Sequence, residues 1–158
     1  MVFYLFRHGE TYFSKNGLPY GKQVESANIL PESISQAKDI ASKLDREGVR
    51  TIYSSPIKRC VQTVKIIKKE VPAIKCLFLQ ELEEEKISRG LENLTELIKR
   101  LQTALDKIKT TKTKRVGICT HGWPLAIMIA LLQEKPIRQQ DLLNHPKCGE
   151  LIIVRARE

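Results

Sequence analysis

A chain of 158 residues, 42% hydrophobic and 28% charged, can bury a core without disulfide or metal staples and reads as one globular domain over 1–158. Its longest apolar runs, such as Leu125 to Leu132, are too short to cross a bilayer, so no membrane partner is expected. The net charge of +9 leaves nucleic acid open. However, the densest basic stretch (Lys107, Lys109, Lys112, Lys114, Arg115) contains no aromatic stacking residue and reads as a solvated helix end.

The N-terminus has no basic segment leading into an apolar core, so no secretory leader is visible. Cys60, Cys76, Cys119 and Cys148 stand apart without a C-x-x-C pair. They read as reduced, mostly buried thiols of a cytoplasmic protein, not as a metal or disulfide frame.

Val2 to Phe6 is an unbroken apolar run, the composition of a strand buried on both faces. It stops at Arg7-His8-Gly9, which puts a cation and a titratable ring at the carboxyl end of a strand, where open α/β sheets bind ligands. Taken alone, that stretch could equally be a polar turn. Tyr12 to Pro31 shows no periodicity and reads as a long loop forming one wall of any site at His8. Glu32 to Leu44 has the spacing of an amphipathic helix, ended at Gly48.

Val49 to Ser54 is the second expected strand. Ser55-Pro56 predicts an N-cap and first helical residue for a helix to about Glu70. Arg59 then falls in the first turn, where a cation is misplaced against the helix dipole unless an anion lies between. A third strand is expected over Ile74 to Leu79, followed by the acidic run Glu81, Glu83, Glu84, Glu85. Leu91 to Ile108 has helical spacing, and Arg115 to Thr120 is a fourth strand ending in His121-Gly122. Pro124 starts a helix, apolar on all sides, over Leu125 to Leu132. After a polar connection through Pro136 and Pro146, Glu150 to Arg155 makes a last strand, short enough to be an antiparallel edge. The alternation predicts an α/β fold: three layers, α/β/α, around a mostly parallel central sheet.

If the strands ending in His8 and His121 lie side by side, Arg7, His8, Arg59 and His121 converge. Two arginines offer planar forks for phosphoryl oxygens, and a histidine can attack phosphorus to give a phosphohistidine. A carboxylic acid must then protonate the leaving oxygen. Glu81, at the end of the third strand, is the best-placed candidate. No Gly-rich nucleotide loop and no serine–histidine–acid order competes with this reading.

Arg7-His8-Gly9-Glu10-Thr11, Ser54-Ser55-Pro56-x-x-Arg59-x-x-Gln62-Thr63, Leu79-x-Glu81 and His121-Gly122 together resemble the ordered signatures of the histidine phosphatase superfamily, which includes the cofactor-dependent phosphoglycerate mutases. The resemblance implies a phosphoglycerate mutase-like fold. By position it makes His8 the nucleophile; Arg7, Arg59, His121 and Gly122 phosphoryl-binding; and Glu81 the proton donor, with Glu83 and Glu84 close enough for the register to slip. Gln62 and Thr63 would pack the helix, and Gly9 and Gly122 would matter through close backbone approach. No metal and no cofactor is implied.

Many relatives carry asparagine where this chain has Ser14, which could still give phosphate one hydrogen bond. Where they have a glycine before the first helix's glutamine–alanine pair, this chain has Ser33. The chain is similar in size to the small phosphohistidine phosphatases and lacks the insertions with which mutases close over substrate. A shallow, open groove is therefore expected, accepting a phosphorylated small molecule or a phosphoprotein. The expected activity is metal-independent phosphatase action on a phosphomonoester or phosphoramidate. Mutase-type transfer and a non-catalytic phosphate- or nucleic-acid-binding member are the alternatives. The substrate, the oligomeric state and the partners of Lys15, Tyr20 and Lys22 in the long loop are left open.

Overall fold

The computed structural model of the chain describes residues 1–156. Val2–Arg7 forms β1, with Phe3 to Phe6 all buried. Phe3 and Leu5 enter one apolar cluster, Tyr4 and Phe6 another, the period-two alternation of a strand covered on both faces. In chain order there follow α1 (Tyr12–Asn16), α2 (Ser33–Arg46), β2 (Thr51–Ser54), α3 (Lys58–Glu70) and β3 (Lys75–Phe78). Then come α4 (Leu94–Lys109), β4 (Arg115–Thr120), α5 (Gly122–Leu132), α6 (Gln139–Leu143) and β5 (Leu151–Arg155).

The strands form one sheet in the order β3-β2-β4-β1-β5. All pairs are parallel except β1 with β5, the antiparallel edge. Ile40 and Leu44 of α2 pack with Val64 and Ile67 of α3 on one face, while Leu97, Leu101 and Leu105 of α4 pack with Leu125 and Met128 of α5 on the other. The three-layer architecture is the expected one. α5 is apolar all round because β-sheet, α4 and Leu142 of α6 enclose it. Cutting a fully buried leucine such as Leu101 back to alanine should cost about 2–5 kcal/mol. No described helix is long and apolar enough to cross a membrane.

Several boundaries differ from the periodic reading, each through local hydrogen bonding. The loop from Tyr12 to Pro31 contains α1 and a 3₁₀ turn at Gly21–Gln23. α1 is set by a reciprocal cap: Ser14 N–H donates to Thr11 Oγ1 (3.1 Å) and Thr11 N–H to Ser14 Oγ (2.8 Å). α4 starts at Leu94 rather than Leu91 because Asn93 Oδ1 accepts the Glu96 N–H at 2.9 Å. The helix expected from Pro56 starts at Lys58, with extended Ile57 as its N-cap. Ser55 Oγ accepts the Ile57 N–H (3.2 Å) and also contacts His121 Nε2 (2.8 Å), so its side chain serves the site as well as the chain turn. α6, five residues long, is too short to leave a periodic signal.

Candidate active site

Strand register decides where the two histidines meet. Arg7 pairs with Thr120 across β1 and β4, so His8 and His121 each follow the last paired residue of neighbouring strands. His8 N–H donates to Thr120 O at 3.1 Å. The imidazoles stand 5.3 Å apart between centroids, tilted by 55°, and both are fully buried.

His8 Nδ1 lies 2.7 Å from the Gly9 carbonyl. A carbonyl can only accept, so Nδ1 carries the proton and Nε2 presents a lone pair. That Nε2 is buried and has no protein partner. Burial first, then the charges of Arg59 and Arg7, hold the His8 pKa well below its ordinary value, so the ring is neutral near pH 7. His121 is likewise held neutral by burial and by Arg59. Its Nε2 meets Ser55 Oγ at 2.8 Å, and its Nδ1 faces Glu84 Oε2 at 3.4 Å.

Arg59 reaches the cluster from the first turn of α3 and is fully buried. Its Nη2 donates to Glu84 Oε2 at 3.0 Å and its Nη1 to the Val24 carbonyl, while the guanidinium carbon lies 4.1 Å from the Tyr20 ring centroid. The anion that a cation at this helix start calls for is thus a carboxylate of the chain itself. Arg7 flanks the same space, with a buried Nε that has no partner.

The carboxyl group expected at Glu81 does not join the cluster. Glu81 forms an ion pair with Lys107 on α4, which holds its carboxyl below the usual range. Glu84 joins the cluster instead, and burial pushes its carboxyl upward against the opposing pull of Arg59. The physical reason is the 3₁₀ turn Gln80–Leu82 that follows β3. Leu79 N–H closes on Ser54 O (3.0 Å), Leu82 is fully buried, and its carbonyl accepts the Thr120 hydroxyl at 2.6 Å. The extra turn brings forward the next glutamate on the buried side. The sequence carried a signal for it: Leu82-x-Glu84 directly follows and repeats Leu79-x-Glu81.

One guanidinium holds this segment. Arg100 of α4 donates to the carbonyls of Glu81 (2.9 Å), Glu83 (3.0 Å) and Glu84 (3.2 Å) and to the Glu92 carboxylate (2.7 and 3.1 Å). Glu92 in turn accepts the Lys86 N–H at 2.7 Å.

Gly9 N–H donates to Thr63 Oγ1 (2.8 Å), and Thr63 donates to the Arg59 carbonyl. Gln62 receives the Ile29 N–H and donates to Asn28. Both residues are therefore scaffold, as expected, and they tie α3 to the end of β1 and to the long loop. A Cβ on Gly9 would meet Ser33 Oγ at 2.8 Å, and one on Gly122 would meet the His145 ring at 2.7 Å, so both glycines serve close approach. Ser14, which stands where many relatives carry asparagine, is engaged with Thr11 in the cap of α1.

The site is not a shallow groove. Arg7, Glu84 and Gly122 open onto a cleft of about 320 Å³, walled by Tyr20 and Val24 on one side and by Trp123, His145, Ser88 and Arg89 on the others. His8, Arg59 and His121 lie beneath it. The long loop supplies a cover where the lack of insertions predicted an open groove, because Tyr20 and the Val24 carbonyl are anchored on Arg59. Tyr20 lines the cleft, whereas Lys15 pairs with Glu32 on the exterior (3.5 Å). Lys22 lines a separate shallow pocket beside Arg89. His145 had no sequence signal, as a lone histidine in a polar connection.

Ligand atoms of His8, Glu84 and His121 lie within 4.8 Å of one another, a spacing that could seat a cation. Arg59 and Arg7 face the same point, and two fixed positive charges oppose a divalent ion there while favouring an anion.

The profile of the histidine phosphatase superfamily (branch 1) matches residues 3–87 and 77–158, and the chain belongs to that family. No curated protein matches it by sequence. Among solved structures it is similar to the alpha-ribazole phosphatase from Shigella flexneri (17% identity, 97% of this chain and 89% of that one, TM-score 0.79). It is also similar to phosphoserine phosphatase from Entamoeba histolytica, there in complex with 3-phosphoglyceric acid (20% identity, 96% and 89%, TM-score 0.73). A third is a protein from Agrobacterium tumefaciens described as the phosphohistidine phosphatase SixA (17% identity, 96% and 89%, TM-score 0.68). At these identities the likeness is one of fold.

Proposed function

We propose that the protein is a phosphatase that hydrolyses a phosphomonoester or phosphoramidate through a phosphohistidine formed on His8. The observation that carries this reading is His8 Nε2: deprotonated, buried, unpartnered, and flanked by Arg7, Arg59 and His121. In the first step Nε2 attacks phosphorus and the bond to the leaving oxygen or nitrogen breaks. Glu84, whose burial favours the protonated form, gives its proton to that atom.

The forks of Arg7 and Arg59, with His121 Nδ1, balance the charge on the transferring oxygens. Arg59 exchanges part of its bond to Glu84 for phosphoryl oxygens. Gly122 opens α5, where unpaired backbone N–H groups and the helix dipole favour the same anion. In the second step water attacks the phosphohistidine, Glu84 accepts a water proton, and phosphate leaves.

No metal or cofactor has a part in this scheme, since the two arginines supply the positive charge. The structural neighbours named above are phosphatases, which supports hydrolysis as the outcome. Four free cysteines support a reducing, cytoplasmic setting.

The test is turnover of p-nitrophenyl phosphate in the presence of chelator, together with acid-labile labelling of the protein. Wild-type protein should show both, and His8→Ala neither. Turnover by His8→Ala at the wild-type rate would remove His8 as nucleophile.

Mutase-type transfer is favoured by one observation, the complete burial of His8, which would protect a phosphoenzyme from water. Label passing from phosphoenzyme to an added alcohol faster than to water would select that reading.

A further inference from the structure

We propose that the edge of the sheet remote from His8 is a docking surface for double-helical nucleic acid, held through its phosphates alone. Nothing in this inference depends on the reaction at His8, which lies at the opposite, carboxyl edge.

The topology gathers the charge. In each βαβ unit the helix runs back over the sheet and ends where the next strand begins. The connections from α2 to β2, α3 to β3 and α4 to β4 therefore share one edge. Antiparallel β5 ends there too, because Arg155 pairs with Val2. The last turns of the helices bring Lys43, Arg46, Lys68, Lys69 and Lys109. The connections and strand ends add Arg50, Lys75, Lys112, Lys114, Arg115 and Arg155, and every residue of both groups is exposed. The basic run that reads in the sequence as one solvated helix end is thus part of a wider face.

Four carboxylates share this edge and neutralise little of it. Asp45 pairs with Arg50 (3.1 Å) and Glu47 with Arg115 (3.9 Å). Glu70 is taken by Lys38 (3.4 Å), and Asp106 accepts the Gln102 amide (2.8 Å). Most of the chain's net charge of +9 therefore stands on this face. Cations in a last helical turn complement the helix dipole, which accounts for the first group. It does not account for Lys75, Lys112, Lys114 and Arg155, which lie outside any helix.

The kind of partner follows from what the face lacks. The exposed aromatic residues, Tyr12 and Phe78, follow β1 and end β3 at the other edge. No large apolar side chain is exposed in the three connections. Unpaired bases therefore have nothing to stack on, and a bilayer has no apolar group to take in. Five strands about 4.8 Å apart span about 19 Å. Over that length a duplex presents about eleven phosphate charges, one per about 1.7 Å of axis. A folded acidic partner carries mixed charge far more sparsely.

The experiment titrates the full chain with a short duplex of random sequence, followed by fluorescence anisotropy between about 50 and about 300 mM salt. The same strand unpaired, polyglutamate and phosphatidylserine vesicles are compared. One variant, Lys75→Gln with Lys112→Gln and Lys114→Gln, removes three charges from the face. A control, Lys22→Gln with Lys58→Gln and Lys147→Gln, removes three exposed charges from the long loop, the start of α3 and the segment before β5.

Wild type should bind the duplex more tightly than the other three probes, with log K falling against log salt at a slope of about −4 or steeper. The first variant should bind about tenfold or more weakly at about 50 mM salt and lose about three from the slope. The control should keep the wild-type affinity and slope. No duplex binding at about 50 mM salt, equal losses in the two variants, or tighter binding of single strand, polyglutamate or vesicles would overturn the inference.

Discussion

Glu84 Oε2 lies 3.0 Å from Arg59 Nη2, and both groups are withdrawn from solvent beside His121. The pair joins the segment after β3 to the first turn of α3. It also makes Glu84 the carboxyl group best placed to exchange a proton with a leaving atom. Glu81, three residues earlier, is spent on Lys107.

Replacing the two glutamates should therefore give opposite results. Glu84→Gln should lower kcat on an alkyl phosphate by about 10²–10⁴-fold, and by much less on p-nitrophenyl phosphate, whose leaving group needs no proton. Glu81→Gln should stay within about threefold on both. In the wild type, kcat/KM should fall in acid as His8 takes up a proton and fall in alkali as Glu84 ionises. Glu84→Gln should remove the alkaline limb. An alkaline limb that survives in Glu84→Gln would assign it to another group.

Stability should depend on pH through the buried histidines. His8 and His121 are held well below the ordinary 6.5 in the folded chain, so between their folded values and 6.5 the unfolded chain binds more protons. Stability then rises with pH across that window, is fully present above 6.5, and is lost as the pH falls below it. Glu84, raised above the ordinary 4.5, works in the opposite direction. It favours the folded state below its raised value, and that contribution fades as pH rises through it. Tm should drop between pH 7 and pH 5.5, by about 2–4 °C for each kcal/mol lost, and His8→Asn should reduce the slope. A Tm independent of pH over this range would contradict neutral, buried imidazoles.

Arg100 should act as a positioning residue for the acid. Arg100→Ala leaves the Glu92 carboxylate, with 8% of its side chain exposed, without its cation and should cost about 3 kcal/mol by denaturant unfolding. Arg100→Lys keeps the charge but loses the fork that spans three carbonyls. It should fold, yet lose more kcat on alkyl than on aryl phosphates, as a displaced Glu84 would. Equal losses on both substrates would reduce Arg100 to a structural role.

The sequence by itself determined the layered α/β fold and the residues that converge at the carboxyl ends of β1 and β4. Strand composition and strand-end chemistry are local properties, and parallel pairing brings the ends of β1 and β4 together once the fold is set. Arg7, His8, Arg59 and His121 were legible for that reason. The tertiary structure alone put Glu84 rather than Glu81 beside Arg59 and His121, because a single 3₁₀ turn and the grip of Arg100, distant in sequence, set the register of an acidic run whose members look alike. It also decided that the site is covered. The loop from Tyr12 to Pro31 has no periodicity to read, and its closing contacts, Tyr20 and Val24 on Arg59, form only when α3 presents a buried guanidinium to it. His145 belongs to the same class: it reaches the cleft through its packing on Gly122, a contact between segments that nothing in local sequence announces.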